Sequence, residues 1–235
     1  ALVASGRWDD AAPVLEMLAR KADAGDRLER ARRQTQLGRA FAALHRNEKA
    51  AAHYRMAVEA DADNLEAAIG LAGALVADAK AHDGSDAAAE KWNEVERRYR
   101  EILARHRTGL ADGQVAEIWF HLGLCARALG DERKAENSFR RALERDPVHE
   151  PTLAALAELA AQRGDWRTVV ETKRVLVDSA PDTIKVRLLD EIGDIYRHRL
   201  KDTSTAVGAY LEGLTLVPGS RTLLHKLLDA YSDGE

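Results

Sequence analysis

The chain has 235 residues, of which 46% are hydrophobic and only 5% are aromatic, and its formal net charge is −4. This length is enough to bury a continuous core, and a core filled by alanine and leucine favours packed helices over a sheet. No apolar run is long enough to cross a bilayer, and no block of like charge marks a nucleic-acid-binding arm. The single cysteine, Cys125, excludes an internal disulfide framework.

The sequence also carries signs of its origin. Its 35 basic residues comprise 26 arginines and nine lysines, a skew that we interpret as the mark of a GC-rich, bacterial genome. Because the first residue is Ala1 rather than methionine, we expect a section of a longer polypeptide whose N-terminal targeting region is not present. The compartment is left open, and a cytoplasmic location is slightly favoured.

Taken in chain order, residues 6 to 18 predict a single helix, the second of a pair. Residues 31 to 64 then predict a complete pair. Gly38 and Ala50 let its two helices approach closely, whereas Phe41 and Tyr54 fill the wider gaps between them.

Residues 65 to 115 repeat this pattern with an interruption. Ala72 and Tyr99 occupy places that are 16 residues apart in the regular pairs but lie 27 apart here, so eleven residues have been added. The addition falls around residues 79 to 90, where His82 to Ser85 predicts a turn, with Ser85 as the N-cap of a long second helix. An enlarged loop is predicted over residues 108 to 113.

The clearest regularity follows, between residues 116 and 183, where equivalent residues recur every 34 positions. Gly130-Asp131 and Gly164-Asp165 predict the turn inside each pair, and Pro147 and Pro181 predict the end of each second helix. The recurring residues are Trp119, Leu122, Gly123, Gly130, Ala135, Phe139, Ala142 and Pro147, followed by Leu153, Leu156, Ala157, Gly164, Val169, Lys173, Leu176 and Pro181. Residues 184 to 219 regain the pattern with a small insertion at 199 to 201.

A 34-residue period with W-x2-L-G, then A-x3-F, then proline resembles the tetratricopeptide repeat (TPR), a helix-turn-helix unit. The resemblance implies an all-α fold, a right-handed superhelical α-solenoid of TPR repeats that forms a single domain over residues 1 to 235. Its predicted parts are a half repeat at 1–30, full repeats at 31–64, 65–115 with the insertion, 116–149, 150–183 and 184–219, and a half repeat at 220–235.

In this family, partner-binding residues usually project from the first helix of each repeat into a concave groove. The positions that the resemblance assigns to a partner-binding groove here are Arg32, Gln36, Arg39, Phe120, His121, Leu124, Glu158, Asp190, Glu191 and Asp194. Along the chain these residues change from basic through apolar to acidic, so we expect a protein or peptide partner that carries a basic segment. The family's Lys/Asn clamp for acidic chaperone tails is replaced by Thr35 and Arg39, which disfavours that ligand.

No catalytic motif is present, and we predict neither enzymatic activity nor a cofactor. Glu117, His121 and Cys125 have metal-ligand types at helical spacing, but Cys125 precedes an aromatic position and should be buried. Glu117 and His121 would then form an ordinary ion pair, and no metal site is predicted. Trp8, Trp92 and Trp166 stand at equivalent places before second helices, which predicts a shared packing role.

The sequence therefore favours a non-enzymatic scaffold that binds a peptide or protein in the groove. The alternative is that this array is the regulatory or substrate-presenting arm of a multidomain enzyme. A third possibility, an RNA-binding helical repeat, is disfavoured by the net negative charge and the TPR-type small residues, so no nucleic-acid partner is predicted. The identity of the partner and the oligomeric state are left open.

Overall fold

The computed structural model of the chain describes residues 13, 14 and 17 and residues 26 to 232. In this part of the chain every regular element is helical, which confirms the predicted all-α fold. None of the helices here combines the length and apolar character that a membrane crossing requires. The helices are α1 (Arg27–Ala43), α2 (Asn47–Ala60), α3 (Leu65–Ala81), α4 (Ala88–Arg105), α5 (Asp112–Ala128), α6 (Glu132–Arg145), α7 (Glu150–Gln162), α8 (Trp166–Ser179), α9 (Asp182–Asp194), α10 (Thr203–Leu216) and α11 (Arg221–Ser232), with a π-helix at Ile195–Arg199 directly after α9.

Short turns of the same kind join the first and second helices of the pairs. Gly130 and Gly164 lie in these turns, as predicted, and have positive φ angles of 78° and 73°. His45 and Lys201 adopt the same conformation, at 55° and 57°, without the freedom of glycine. The turns then lead into N-caps: Asp165 accepts a hydrogen bond from the N–H of Thr168 at 3.2 Å, as predicted.

The chain divides into two compact units, residues 1 to 131 and residues 132 to 235. In the first unit the ring of Tyr54 lies against two glycines, and a Cβ atom at Gly38 or Gly70 would come within 2.6 Å or 2.4 Å of it. In the second unit Tyr210 packs in the same way against Gly193, at 2.2 Å. These contacts explain why the sequence has no side chain at those positions.

The eleven added residues lengthen the α3–α4 pair at its turn. Helix α3 runs nine residues beyond Ala72, whereas α1 runs five beyond the equivalent Gly38. Helix α4 begins seven residues before Val95, whereas α2 begins three before Ala50. Each helix thus gains about one turn, and the connecting segment at 82–87 is longer than the other turns, so the expected elongated helices are confirmed.

One detail of this prediction was wrong, because Ser85 does not cap α4. Its carbonyl accepts a hydrogen bond from the N–H of Ala88 at 3.0 Å, and the N-cap is Ala87, whose side chain makes no capping bond. The chain makes one more turn after Ser85 before the helix starts. An ion pair joins the two lengthened helices: Nζ of Lys91, on α4, lies 2.6 Å from Oδ2 of Asp78, on α3.

The second irregularity is a single extra residue between Gly193 and Ala206, compared with the interval from Ala157 to Val169. It appears as the π-helix Ile195–Arg199, after which the N–H of Leu200 donates to the carbonyl of Ile195 at 3.0 Å. A π-helical turn fits one added residue into a helix, and such turns, although rare, are frequently found at functional sites.

The tryptophans at the starts of second helices differ in burial. Trp92 is 4% exposed, as a packing role predicts. Trp166 is only half-buried; it packs beside Ala157 and Val169, and the guanidinium of Arg199 lies 4.7 Å from its ring centroid. Trp8 lies outside the described residues.

Candidate functional site

The three acidic residues predicted on α9 lie on one face of the helix, where lysines from neighbouring helices reach them. Nζ of Lys226, on α11, is 2.6 Å from Oδ1 of Asp190 and 2.7 Å from Oδ2 of Asp194. Nζ of Lys173, on α8, is 2.5 Å from Oε2 of Glu191. The acidic face is therefore partly neutralised within the protein itself.

Hydrogen bonds fix the position of Asp194 within this group. The hydroxyl of Tyr210 donates to its Oδ1 at 2.8 Å, and burial together with this bond raises the pKa of Tyr210 above its ordinary value. Partial burial lowers the pKa of Lys226, but the bonds to Asp190 and Asp194 outweigh that effect and leave it raised. Lys226 therefore remains a cation at neutral pH.

A cleft of about 450 Å³ lies beside these carboxylates, between α8 and the end of α9. Glu191 and Asp194 form one side of it, and the π-helix places His198 and Arg199 at its edge. The complete lining is Trp166, Lys173, Glu191, Asp194, Ile195, His198 and Arg199. An aromatic face, two carboxylates and three basic side chains are thus brought together in one place.

Sequence reasoning missed five residues of this group: Trp166, Lys173, His198, Arg199 and Lys226. The extra residue before Ala206 was the only signal for His198 and Arg199. Lys173 occupies the place of Phe139 in the previous repeat, so the repeat pattern predicts an apolar side chain there. Once the extra residue is counted, Lys226 occupies on α11 the place that Glu191 has on α9, and the pattern does not indicate that it reaches back to α9.

The predicted basic residues of the first unit share the exposed side of α1. Arg32, Gln36 and Arg39 are exposed, and Nη1 of Arg39 lies 3.1 Å from Oε1 of Glu66 on α3. Thr35, which the repeat pattern also assigned to the groove, is instead buried. Its hydroxyl donates to the carbonyl of Ala31 at 2.9 Å and accepts from Nδ2 of Asn64 at 3.0 Å.

The predicted apolar residues on α5 offer little free surface. Leu124 is 7% exposed, and Phe120 is half-buried, with its ring centroid 5.3 Å from that of His121. The His121 ring stacks on Tyr99 at 5.0 Å. Tyr99 is buried and the His121 side chain is 15% exposed, so this aromatic group offers a partner little surface. On α7 in the second unit, by contrast, Glu158 is exposed.

The structure separates the three residues of metal-ligand type on α5. Nε2 of His121 lies 3.1 Å from Oε1 of Glu117, as the predicted pair requires, whereas Cys125 is fully buried, as expected. Among residues 26 to 232, no group of three or more His, Cys, Asp or Glu side chains is placed to hold a metal ion.

Comparison with known proteins gives a family match at the most regular repeat. The family model "Tetratricopeptide repeat" matches residues 116 to 147. The crystal structure of YrrB, described as a TPR protein with an unusual peptide-binding site, is 16% identical, with a TM-score of 0.53 over 82% of this chain and 89% of that chain. PilF of Pseudomonas aeruginosa is 17% identical, with a TM-score of 0.61 over 99% of this chain and 92% of that one. At these identities the likeness shows the fold alone.

One curated relative is more similar in sequence but over a shorter stretch. The probable biofilm formation methyltransferase WspC of Pseudomonas aeruginosa is 36% identical over 92 residues. That stretch is 39% of this chain and 18% of the relative. The chain thus matches less than a fifth of the methyltransferase.

Proposed function

We propose that this chain, a tetratricopeptide-repeat protein, is a non-enzymatic scaffold that binds an extended segment of a protein partner along the first helices of its repeats. In the second unit the binding surface would be the acidic face of α9 and the adjoining cleft. The observation that carries the proposal is the convergence of Glu191 and Asp194 with Trp166, His198 and Arg199 around one opening. Clefts that hold ligands typically combine a few converging polar groups with an aromatic or apolar wall.

The lysines within the site suggest how a basic partner would bind. Lys226 and Lys173 contact the carboxylates from within the protein, and their side chains are 25% and 21% exposed. A lysine or arginine of the partner would share or replace these internal contacts. Binding would then exchange one ion pair for another, which favours specificity and encounter rate more than affinity.

The test compares variants that replace the carboxylates of this ion group with a variant that replaces its lysine. Replacing both Asp190→Asn and Asp194→Asn should weaken binding of a partner with a basic segment by tenfold or more, about 1.4 kcal/mol. Lys226→Gln should have the opposite effect, because it removes the internal competitor and leaves the two carboxylates free. Both effects should decrease as salt rises.

The measurement is titration calorimetry with the partner found by affinity capture with the intact chain. Glu144→Gln, an exposed carboxylate on the second helix α6, is the control for general loss of negative charge. Equal affinity for wild type, the double asparagine variant and Lys226→Gln, with helicity unchanged, would place the binding surface elsewhere.

A second candidate function has a specific observation in its favour. The 36% identity to part of WspC is what we would expect if this array were the regulatory or substrate-presenting arm of a multidomain enzyme. The sequence of the full-length gene decides between the two functions. The enzyme-arm function would be established by a catalytic domain on the same polypeptide whose activity changes when residues 26 to 232 are deleted. A gene without a catalytic domain would favour the scaffold function.

A further inference from the structure

A second cleft, of about 590 Å³, lies in the first unit between α2, α3 and the last turns of α4. Its volume is within the range of clefts that bind ligands. Its two parts differ in character, an apolar floor and a charged rim. The lining residues are Val58, Ala62, Ala68, Leu71, Arg98, Glu101, Ile102, Ala104, Arg105 and His106.

The floor is open because of one small residue, Ala68. It stands three residues before Leu71, at the place that a larger side chain occupies in every other full repeat: Gln34, Trp119, Leu153 and Leu189. Leu153 and Leu189 are almost completely buried there, at 3% and 0% exposure. The methyl group of Ala68 leaves unfilled the space that such side chains fill, beside the buried Leu71 and Ile102.

The lining of the rim holds two arginines and one carboxylate, Glu101, whose Oε2 is 3.0 Å from Nη1 of Arg98. Glu94, outside the lining, lies 3.8 Å from Nη2 of Arg98 and is also paired with Arg55. The Nε–H of Arg98 is buried and has no acceptor among residues 26 to 232. A desolvated donor of this kind is unfavourable until an acceptor reaches it.

The other rim arginine is held only weakly. Nη1 of Arg105 lies 3.3 Å from Oδ1 of Asp63, and their side chains are 53% and 84% exposed. An exposed pair of this kind contributes little to stability, so a ligand carboxylate can take the place of Asp63 without a large loss.

We propose that this cleft binds a peptide segment in which an aromatic side chain stands next to an aspartate or glutamate. The aromatic ring enters the space above Ala68 that the indole of Trp119 would fill in a regular repeat. The neighbouring carboxylate accepts hydrogen bonds from Arg98 and Arg105, a charge-assisted contact that planar guanidinium groups make well. The site does not depend on the proposed function of α9, since it lies in the other unit and selects the opposite charge.

The experiment uses the full chain and three nine-residue peptides labelled with fluorescein. The first contains a tryptophan flanked by aspartates and glutamates, the second has alanine in place of the tryptophan, and the third has lysines in place of the acidic residues. Fluorescence anisotropy at low and high salt measures the affinity of each. We expect the acidic tryptophan peptide to bind at least tenfold more tightly than either of the others, and the difference from the lysine peptide to decrease with salt.

Two variants then locate the site. Ala68→Trp restores the large side chain of the regular repeat, so it should reduce binding at least tenfold without lowering the melting temperature. Ala154→Trp, at an exposed alanine of α7, is the matched control and should bind as wild type does. The double variant Arg98→Gln and Arg105→Gln tests the rim without altering the floor, and it should also weaken binding.

The proposal fails if none of the peptides binds, or if the lysine peptide binds as tightly as the acidic one. It also fails if Ala68→Trp folds and binds as wild type does. Should Ala68→Trp not fold, unchanged binding by the double arginine variant overturns the proposal, and weakened binding by that variant supports it. The variants Asp190→Asn and Asp194→Asn should leave this binding unchanged, which separates it from binding at α9.

Discussion

The pair α3–α4 and the pair α9–α10 both contain more residues than a regular repeat, but the fold accommodates them in different ways. Eleven extra residues in the first pair lengthen both helices by about a turn and enlarge the connection at 82–87. The single extra residue in the second pair is absorbed inside the helix as a π-turn, Ile195–Arg199. In both pairs the buried residues on either side keep their places: Val95, Tyr99 and Ile102 in one, Ala206 and Tyr210 in the other.

The helical period explains the difference. Because a turn has 3.6 residues, four residues added to a helix end return the chain to nearly the same face, so an insertion can grow outward from the turn. One residue added within a helix would rotate everything after it by about 100°, and a wider turn prevents this. A large insertion therefore changes the periphery, whereas a one-residue insertion changes a surface next to the core, here the edge of the Trp166 cleft.

The largest loss of stability is expected when the glycine contact that holds the second pair in register is disturbed. Gly193→Ala places a Cβ atom 2.2 Å from the ring of Tyr210, which would also strain the 2.8 Å hydrogen bond from Tyr210 to Asp194. We expect a loss of about 1–3 kcal/mol in the free energy of unfolding, measured by urea denaturation.

Gly208→Ala is the matched control, because among residues 26 to 232 nothing beyond the adjacent backbone of α10 lies within 4 Å of its new Cβ. It should stabilise the protein by roughly 0.5–1 kcal/mol through the lower flexibility of alanine. If the two variants were equally stable, the contact of Gly193 with Tyr210 would not be what fixes the register.

The sequence predicted the larger insertion and its neighbouring helices well, because apolar residues such as Tyr99 keep the regular spacing after it. It placed the smaller insertion a few residues late, since an offset of one residue can be absorbed anywhere between Gly193 and Ala206. The lysines of the α9 site were not predictable from the repeat pattern. Lys173 stands at a position where the pattern requires an apolar side chain, and Lys226 stands on α11 at the place of Glu191. Only the folded chain shows that each lysine reaches a carboxylate of α9.

Deleting His198 removes the extra residue of the α9–α10 pair and restores the spacing of a regular repeat. We expect α9 to continue as a regular helix and the contact of Arg199 with Trp166 to be lost, at a cost of roughly 0.5–1 kcal/mol. The indole N–H resonance of Trp166, assigned with Trp166→Phe, should shift. Deletion of Asp83, in the long connection of the other pair, is the control and should leave that resonance in place.

Removing the larger insertion should have a smaller effect. Replacing residues 78 to 91 by Leu-Gly-Asp, the turn that joins α5 to α6, restores the regular spacing between Ala72 and Val95. The variant loses the ion pair of Lys91 with Asp78, and we expect its stability to change by no more than about 1 kcal/mol.

A replacement by Leu-Gly alone serves as the control, because it is one residue too short for the turn. It should melt at a clearly lower temperature in circular dichroism. Equal melting temperatures for the two replacements would mean that the spacing between the helices does not matter, and that the insertion is not a peripheral extension of a regular pair.

The smallest effect is expected at the turn that follows the π-helix. Lys201 has a φ of 57°, the conformation that glycine provides at 130 and 164, and the left-handed region costs a residue with a side chain about 1–2 kcal/mol. Glycine removes that strain but loses more conformational freedom on folding, about 0.5–1 kcal/mol, so Lys201→Gly should stabilise the protein by roughly half a kcal/mol. The reverse exchange, Gly164→Lys, should destabilise the regular pair by a similar amount, as urea denaturation can measure. If Lys201→Gly were instead destabilising, the lysine would be contributing a contact at this turn, and the π-helix would depend on Lys201 as well as on the added residue.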